Sequence, residues 1–256
     1  MLGGVLGSGA TSRVHDGWDL QLSRRVAIKL LQRGIHGRPP ELTGRHVVGV
    51  HDVGEHDGVP FIVMERLPGV SLADSIARGP LEPAFVEAAL DGVLDALAEA
   101  HSVGVLHRNI KPGNILLTAR AEAKLADFGA GVSLPYLSPD RLAAKAATAL
   151  DDLYAVGVVG YEALTGRRPF PQQDPGALAH AILHEDPPPL ASLRPDVPAG
   201  LVTVIEQAMT RDPTQRFDHA DAMRAALTGA QPAPISLHPN GVGRSENSHA
   251  YAAHSS

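Results

Sequence analysis

A change of hydrophobic period partway along the chain constrains its fold more than any other feature. Up to residue 66, apolar residues come in short β-branched runs, Arg25-Val26-Ala27-Ile28-Lys29-Leu30-Leu31 and Phe61-Ile62-Val63-Met64. Turns such as Glu55-His56-Asp57-Gly58 separate the runs. From about 71 to 228 the period becomes helical. Residues 83–103 place Phe85, Ala89, Leu90, Val93, Leu94, Leu97 and Ala98 at the spacing of one long amphipathic helix, and 152–165 and 200–210 repeat it. Leu67-Pro68-Gly69 separates the two regimes and reads as a hinge. The expectation is an α+β chain with a small β-rich lobe over 1–66 and a larger helical lobe over 67–229. Within the first lobe, Gly34, Gly37, Pro39, Pro40 and Gly44 crowd residues 32–46 and forbid a regular helix there. Beyond Gly229 apolar periodicity stops, so 230–256 is expected to be a disordered tail.

Composition excludes several classes of function. The net charge is −6, so no overall basic field favours nucleic acid or anionic lipid. There is no cysteine, which removes disulfides, thiolate metal sites and cysteine nucleophiles, and agrees with a reducing, cytoplasmic compartment. No run approaches the roughly 18–20 apolar residues of a membrane span. Met1-Leu2-Gly3-Gly4 lacks a basic region and a cleavage site, so no signal peptide is visible, although a start upstream of Met1 stays open. His180 and His184 have helical metal-ligand spacing, but no third ligand accompanies them, and a solvated helix face explains them better. Trp18 on the second strand needs only half-burial, and Asp186-Pro187-Pro188-Pro189 reads as a rigid connector.

Two segments are weak signals when taken singly. Leu6-Gly7-Ser8-Gly9-Ala10-Thr11-Ser12-Arg13-Val14 is a Gly-x-Gly turn between strand-like runs. A strand-like run follows it, so it is not a dinucleotide fingerprint, and it lacks the ending of a Walker loop. Lys29, inside an apolar strand, reads alone as an edge residue whose head snorkels to water.

Further along, His107-Arg108-Asn109-Ile110-Lys111-Pro112-Gly113-Asn114 is followed by Asp127-Phe128-Gly129, Ser138-Pro139-Asp140, Asp152-Leu153-Tyr154-x-x-Gly157 and Arg211-Asp212-Pro213-x-x-Arg216. With the Gly-rich turn and Lys29, this ordered set over about residues 3–228 resembles the eukaryotic-type protein kinase family, especially bacterial serine/threonine kinases. The resemblance implies a bilobal kinase-like fold, ATP and Mg²⁺ as cofactors, and a protein partner or substrate. Gly7 and Gly9 would close over the phosphates and Lys29 would pair with them. Val14 and Ala27 would cover the adenine, with the Glu65 carbonyl and Leu67 N–H at its edge. Asn114 and Asp127 would hold Mg²⁺, and Lys111 would neutralise the transferring phosphoryl group. Asx residues also form turns, but their company here favours ligands. Asp140 and Arg216 would form a buried ion pair, Asp152 would brace the catalytic loop, and His107 would pack on Phe128.

Four departures from the family pattern stand beside these matches. Asn109 occupies the position of the family's catalytic Asp, and an amide has no basic oxygen to accept a proton. The stretch from Lys29 to Val47 is too short and too broken for the family's helix, whose Glu would hold Lys29; Glu41 is a poor substitute, so Lys29 is expected to be unanchored. Asp127 to Asp140 is short for an activation segment and has Ser133 and Ser138 but no Thr. Ser12 replaces the third glycine of the loop. The expected function is therefore a kinase-like domain that binds ATP and Mg²⁺ with weak or absent phosphoryl transfer, in a regulatory or scaffolding role. The alternatives are an active serine/threonine kinase with an unusual catalytic loop and a decayed homologue without function.

Overall fold

The computed structural model describes residues 1–9, 12–33, 39–129 and 131–229. The expected tail over 230–256, and Gly34 and Gly37 of the expected loop, lie outside the described residues. The β-branched runs form strands β1 (Leu2–Ser8), β2 (Ser12–Asp19), β3 (Arg24–Leu31), β4 (Val50–His56) and β5 (Val59–Glu65). They make one antiparallel sheet in the order β1-β2-β3-β5-β4. Register decides which side chains share a face. Val14, Lys29 and Ile62 stand opposite one another across β2, β3 and β5, and Asp16, Ala27 and Met64 form the next rank. Residues two apart on a strand face the same side, so Val14, Ala27 and Lys29 share one face.

After β5 come β6 (Val70–Ser71), α1 (Leu72–Ile76) and α2 (Pro83–Ser102), the last matching the long helix expected from the apolar spacing. Strand β7 (Ile115–Leu117) pairs with β6 on one side and with β8 (Ala123–Leu125) on the other in a small second sheet. The remaining helices are α3 (Pro139–Leu142), α4 (Ala149–Thr165), α5 (Pro175–His184), α6 (Leu190–Leu193), α7 (Ala199–Ala208) and α8 (Ala220–Leu227). The fold is thus the bilobal α+β arrangement expected. Helix α4 is apolar almost all round, which marks a central core helix. Leu153, Val156, Val159 and Leu164 are buried in one cluster with α2 and α7. At Gly157 an added Cβ would lie 2.9 Å from Ala208 Cβ, so only glycine lets α4 and α7 approach this closely. Among the described residues no helix is long and apolar enough to cross a membrane.

Between β3 and β4 the described residues contain no helix. They are nevertheless firmly placed. Leu42 and Val47 are buried in the helical core, and the Thr43 and Gly44 N–H groups both donate to Glu99 Oε1, at 3.0 and 3.1 Å. The Leu125 N–H donates to the His46 carbonyl at 2.7 Å, and the Val48 N–H to the Leu125 carbonyl at 3.0 Å. A Cβ on Gly44 would fall on the Glu99 carboxylate, so a larger residue would push aside the acceptor of these two bonds. The short connection therefore ties the sheet to α2 and β8.

Candidate functional site

Asp152 organises the loop between α2 and β7. It lies in the first turn of α4, where a carboxylate is favoured by the helix N-terminus, and is buried. Its Oδ2 accepts from the His107 N–H and from His101 Nε2, both at 2.9 Å, and its Oδ1 accepts from the Arg108 N–H at 2.8 Å. These bonds hold Arg108 in the left-handed region at φ +67°, costly for a residue with a Cβ. The expected bracing role of Asp152 thus has a direct geometric counterpart.

His107 is fully buried beneath Phe128, with ring centroids 4.6 Å apart. Its Nδ1 accepts from the Asn109 N–H at 3.2 Å, which leaves Nε2 to donate to the Ala126 carbonyl at 2.8 Å. Burial disfavours the imidazolium and pushes the pKa down from the usual 6.5. The unfolded chain then binds a proton below pH 6.5 that the folded chain refuses. Stability is fully present above that pH and lost as pH falls through it, by up to about 1.4 kcal/mol per pH unit. His51, also shifted down by burial, acts in the same direction. Urea midpoints at pH 7.5 and 5.5 check this: a lower midpoint at 5.5 is expected, and an equal or higher one contradicts it.

Asn109 and Asn114 are both buried. The Asn114 amide nitrogen donates to the Asn109 carbonyl at 2.8 Å, so its oxygen is the atom available to a ligand. The Asn109 side-chain oxygen accepts from the Ser133 hydroxyl at 2.9 Å. The Ala126 N–H donates to the Asn114 carbonyl at 2.9 Å and the Gly129 N–H to the His107 carbonyl at 3.1 Å. This frame fixes Asp127, at φ +65°, between two tethered neighbours. Lys111 precedes the single turn Pro112–Asn114 and lines a cavity of about 760 Å³ with Tyr136 and Glu162.

Lys29 reaches across to this frame: its Nζ lies 2.8 Å from Asp127 Oδ1. Only 6% of the residue is exposed, so it is not an edge lysine snorkelling to water. Nor is it unanchored, as the breakers after β3 had implied. A buried ammonium must be paired, and Asp127 supplies the charge while Glu41 remains exposed. Ala27, Val48, Met64, Leu67 and Ala126 form a buried apolar cluster, with Val14, Ile62 and Leu116 packed against it. It unites the expected Val14, Ala27 and Leu67 across both sheets. Met64, Val48, Ala126 and Leu116 are members the motif reading missed; Leu116 could have been found as the residue two past Asn114. The Glu65 carboxylate accepts from the Gly49 N–H at 3.2 Å and from Lys124 at 2.8 Å, and Arg66 bonds Asp16 at 2.7 Å. The hinge is thus tied to both sheets.

Gly7 and Gly9 flank the tip of the β1–β2 hairpin, and neither has a positive φ. A Cβ on Gly7 would meet nothing within 4 Å, so open space over the face, rather than turn geometry, distinguishes this position. In the short segment after Asp127, Tyr136 donates to Glu162 Oε2 at 2.7 Å. Asp140 pairs with Arg216 at 3.0 Å, and the Arg216 guanidinium, 5.1 Å over the Tyr154 ring, is fully buried. The ion pair expected from the resemblance is therefore formed.

A β sheet and a helical body meeting where a buried Lys29 pairs with a half-buried Asp127, above a loop braced by an Asp, define a protein of the kinase class. The protein kinase domain family matches residues 2–227 of the chain. The chain belongs to this family. It is 36% identical over 251 residues to serine/threonine-protein kinase PknL of Mycobacterium tuberculosis, covering 87% of this chain and 63% of the relative. It is 32% identical over 255 residues to PrkC of Bacillus subtilis, covering 88% and 39%, and 32% identical over 261 residues to PknB of Mycobacterium tuberculosis, covering 88% and 42%. The chain spans less than two thirds of the length of each of these serine/threonine kinases.

Proposed function

We propose that this chain binds ATP and Mg²⁺ where the two sheets meet and transfers the γ-phosphate weakly or not at all, acting on a protein partner as a regulator or scaffold. The observation that carries the reading is an intact Lys29–Asp127–Asn114 frame beside an amide at Asn109. The apolar cluster around Val14, Ala27 and Leu67 offers two faces for an adenine, with the Glu65 carbonyl and Leu67 N–H at its edge. Gly7 and Gly9 leave room for backbone amides to approach phosphates, and Lys29 and Lys111 carry the positive charge that phosphates require. Mg²⁺ takes one or two protein oxygens and completes its shell with phosphates and water, so Asp127 and Asn114 fit it as a donor pair. When bound, the ion would neutralise charge on the phosphates. Asn109 can orient a hydroxyl, but its amide cannot take the proton. A cytoplasmic location accords with the cysteine-free sequence.

A second reading, an active serine/threonine kinase, is favoured by one observation: Lys29 is buried and held although the described residues between β3 and β4 contain no helix. The names of the relatives agree with it. Turnover separates the two readings.

Nucleotide binding is tested by thermal unfolding with ATP, with and without Mg²⁺. At a hundred times Kd, ligand should stabilise the chain by about 2.7 kcal/mol. Asp127→Ala should remove the metal-dependent part. No shift at millimolar ATP and Mg²⁺ overturns the reading.

A further inference from the structure

We infer that Asp127 has a second task in this chain: it is the positioning residue that anchors Lys29, in place of a helix carboxylate that the described residues between β3 and β4 do not supply. Lys29 sits on β3 with its ammonium withdrawn from water, and the 2.8 Å contact to Asp127 is the ion pair that compensates it. The carboxylate is itself rigidly presented. Its neighbours Ala126 and Gly129 are tied to Asn114 and His107, and its backbone is held in the left-handed region. One Asp127 oxygen therefore serves the sheet, and the other remains for a cation.

The arrangement makes an unusual demand on nucleotide binding without metal, and this part of the inference rests on the nucleotide reading above. If Asp127 were only a metal ligand, its carboxylate would repel a metal-free triphosphate, and removing its charge should tighten binding in EDTA. If it anchors Lys29, removing the charge frees the ammonium and weakens binding. The signs are opposite.

The first arm of the test needs no nucleotide. Thermal unfolding of wild type, Lys29→Met, Asp127→Asn and the double variant forms a cycle. Asp127→Asn strands a buried ammonium and should lower the midpoint on the order of 5 °C. Adding Lys29→Met should restore most of that loss, because no charge is then stranded. Additive effects of the two substitutions overturn the proposal. A double variant that folds while Asp127→Asn alone does not supports it.

The second arm is ATP titration in EDTA by calorimetry. If Lys29 is held in place a tenth as often, Asp127→Asn should bind about tenfold more weakly than wild type. Equal or tighter binding overturns the proposal. A coupled cycle in a wild type that binds no ATP under any condition supports the anchor and overturns the nucleotide reading instead.

Discussion

Asn109→Asp is expected to raise phosphate transfer from ATP, yet by less than the roughly 10²–10⁴ that a well-placed general base contributes. The substitution replaces a neutral amide with a carboxylate that can accept the substrate hydroxyl proton. Asn109 already engages the Ser133 hydroxyl at 2.9 Å through its single side-chain oxygen. A carboxylate could keep that bond with one oxygen and use the other for substrate. The rescue should remain partial because Lys29 and, on the proposed reading, a metal ion would share one carboxylate, Asp127, where the family pattern supplies two. The short segment between Asp127 and Asp140 also offers a peptide little support. Steady-state transfer by wild type and Asn109→Asp, on casein-like and self substrates, checks this. A full rescue by one substitution would mean that the short β3–β4 connection and the shortened segment cost little.

Asp140→Ala should be strongly destabilising, at about 3–5 kcal/mol. The Arg216 guanidinium is fully buried, and its Nη2 contacts Asp140 at 3.0 Å. Carbonyls of Thr210 and Arg211 accept two further bonds, and Nη1 has no hydrogen-bond partner. Removing the carboxylate leaves the cation with neutral acceptors and the Tyr154 ring alone. A domain is stable by only about 5–15 kcal/mol, so much of the margin would disappear. Urea unfolding of Asp140→Ala, beside Asp140→Ala with Arg216→Met, separates charge stranding from loss of packing. The double variant should recover stability; a loss below about 1 kcal/mol in the single variant contradicts the account.

These cases show what was legible in the sequence. Period and motif order exposed the strands, the long helix over 83–102, and the loop carrying His107, Asn109 and Asn114. The Asp152 brace and the Asp140–Arg216 pair came from the family resemblance that those motifs carry, and the structure forms both. What stayed hidden was substitution of one partner for another. Nothing local to Lys29 or Asp127 says that they pair with each other; that follows only from the register of β3 against β5 and the tethering of Ala126 and Gly129. The connection after β3 was read as breakers forbidding a helix, which is so for its described part. Its attachment to Glu99 depends on a contact between distant positions that no window of sequence contains. Leu116 and Val48 escaped for the same reason, since the apolar cluster draws one residue or two from each of several elements.

On the proposed reading, this kinase-family chain keeps nucleotide binding and transfers phosphate weakly or not at all. The most direct measurement takes one wild-type sample, saturates it with ATP and Mg²⁺ as verified by calorimetry, and follows radiolabelled phosphate onto protein. The account predicts saturable binding with turnover far below the roughly 1–100 s⁻¹ of ordinary kinases. Turnover within that range by the nucleotide-bound wild type would contradict it.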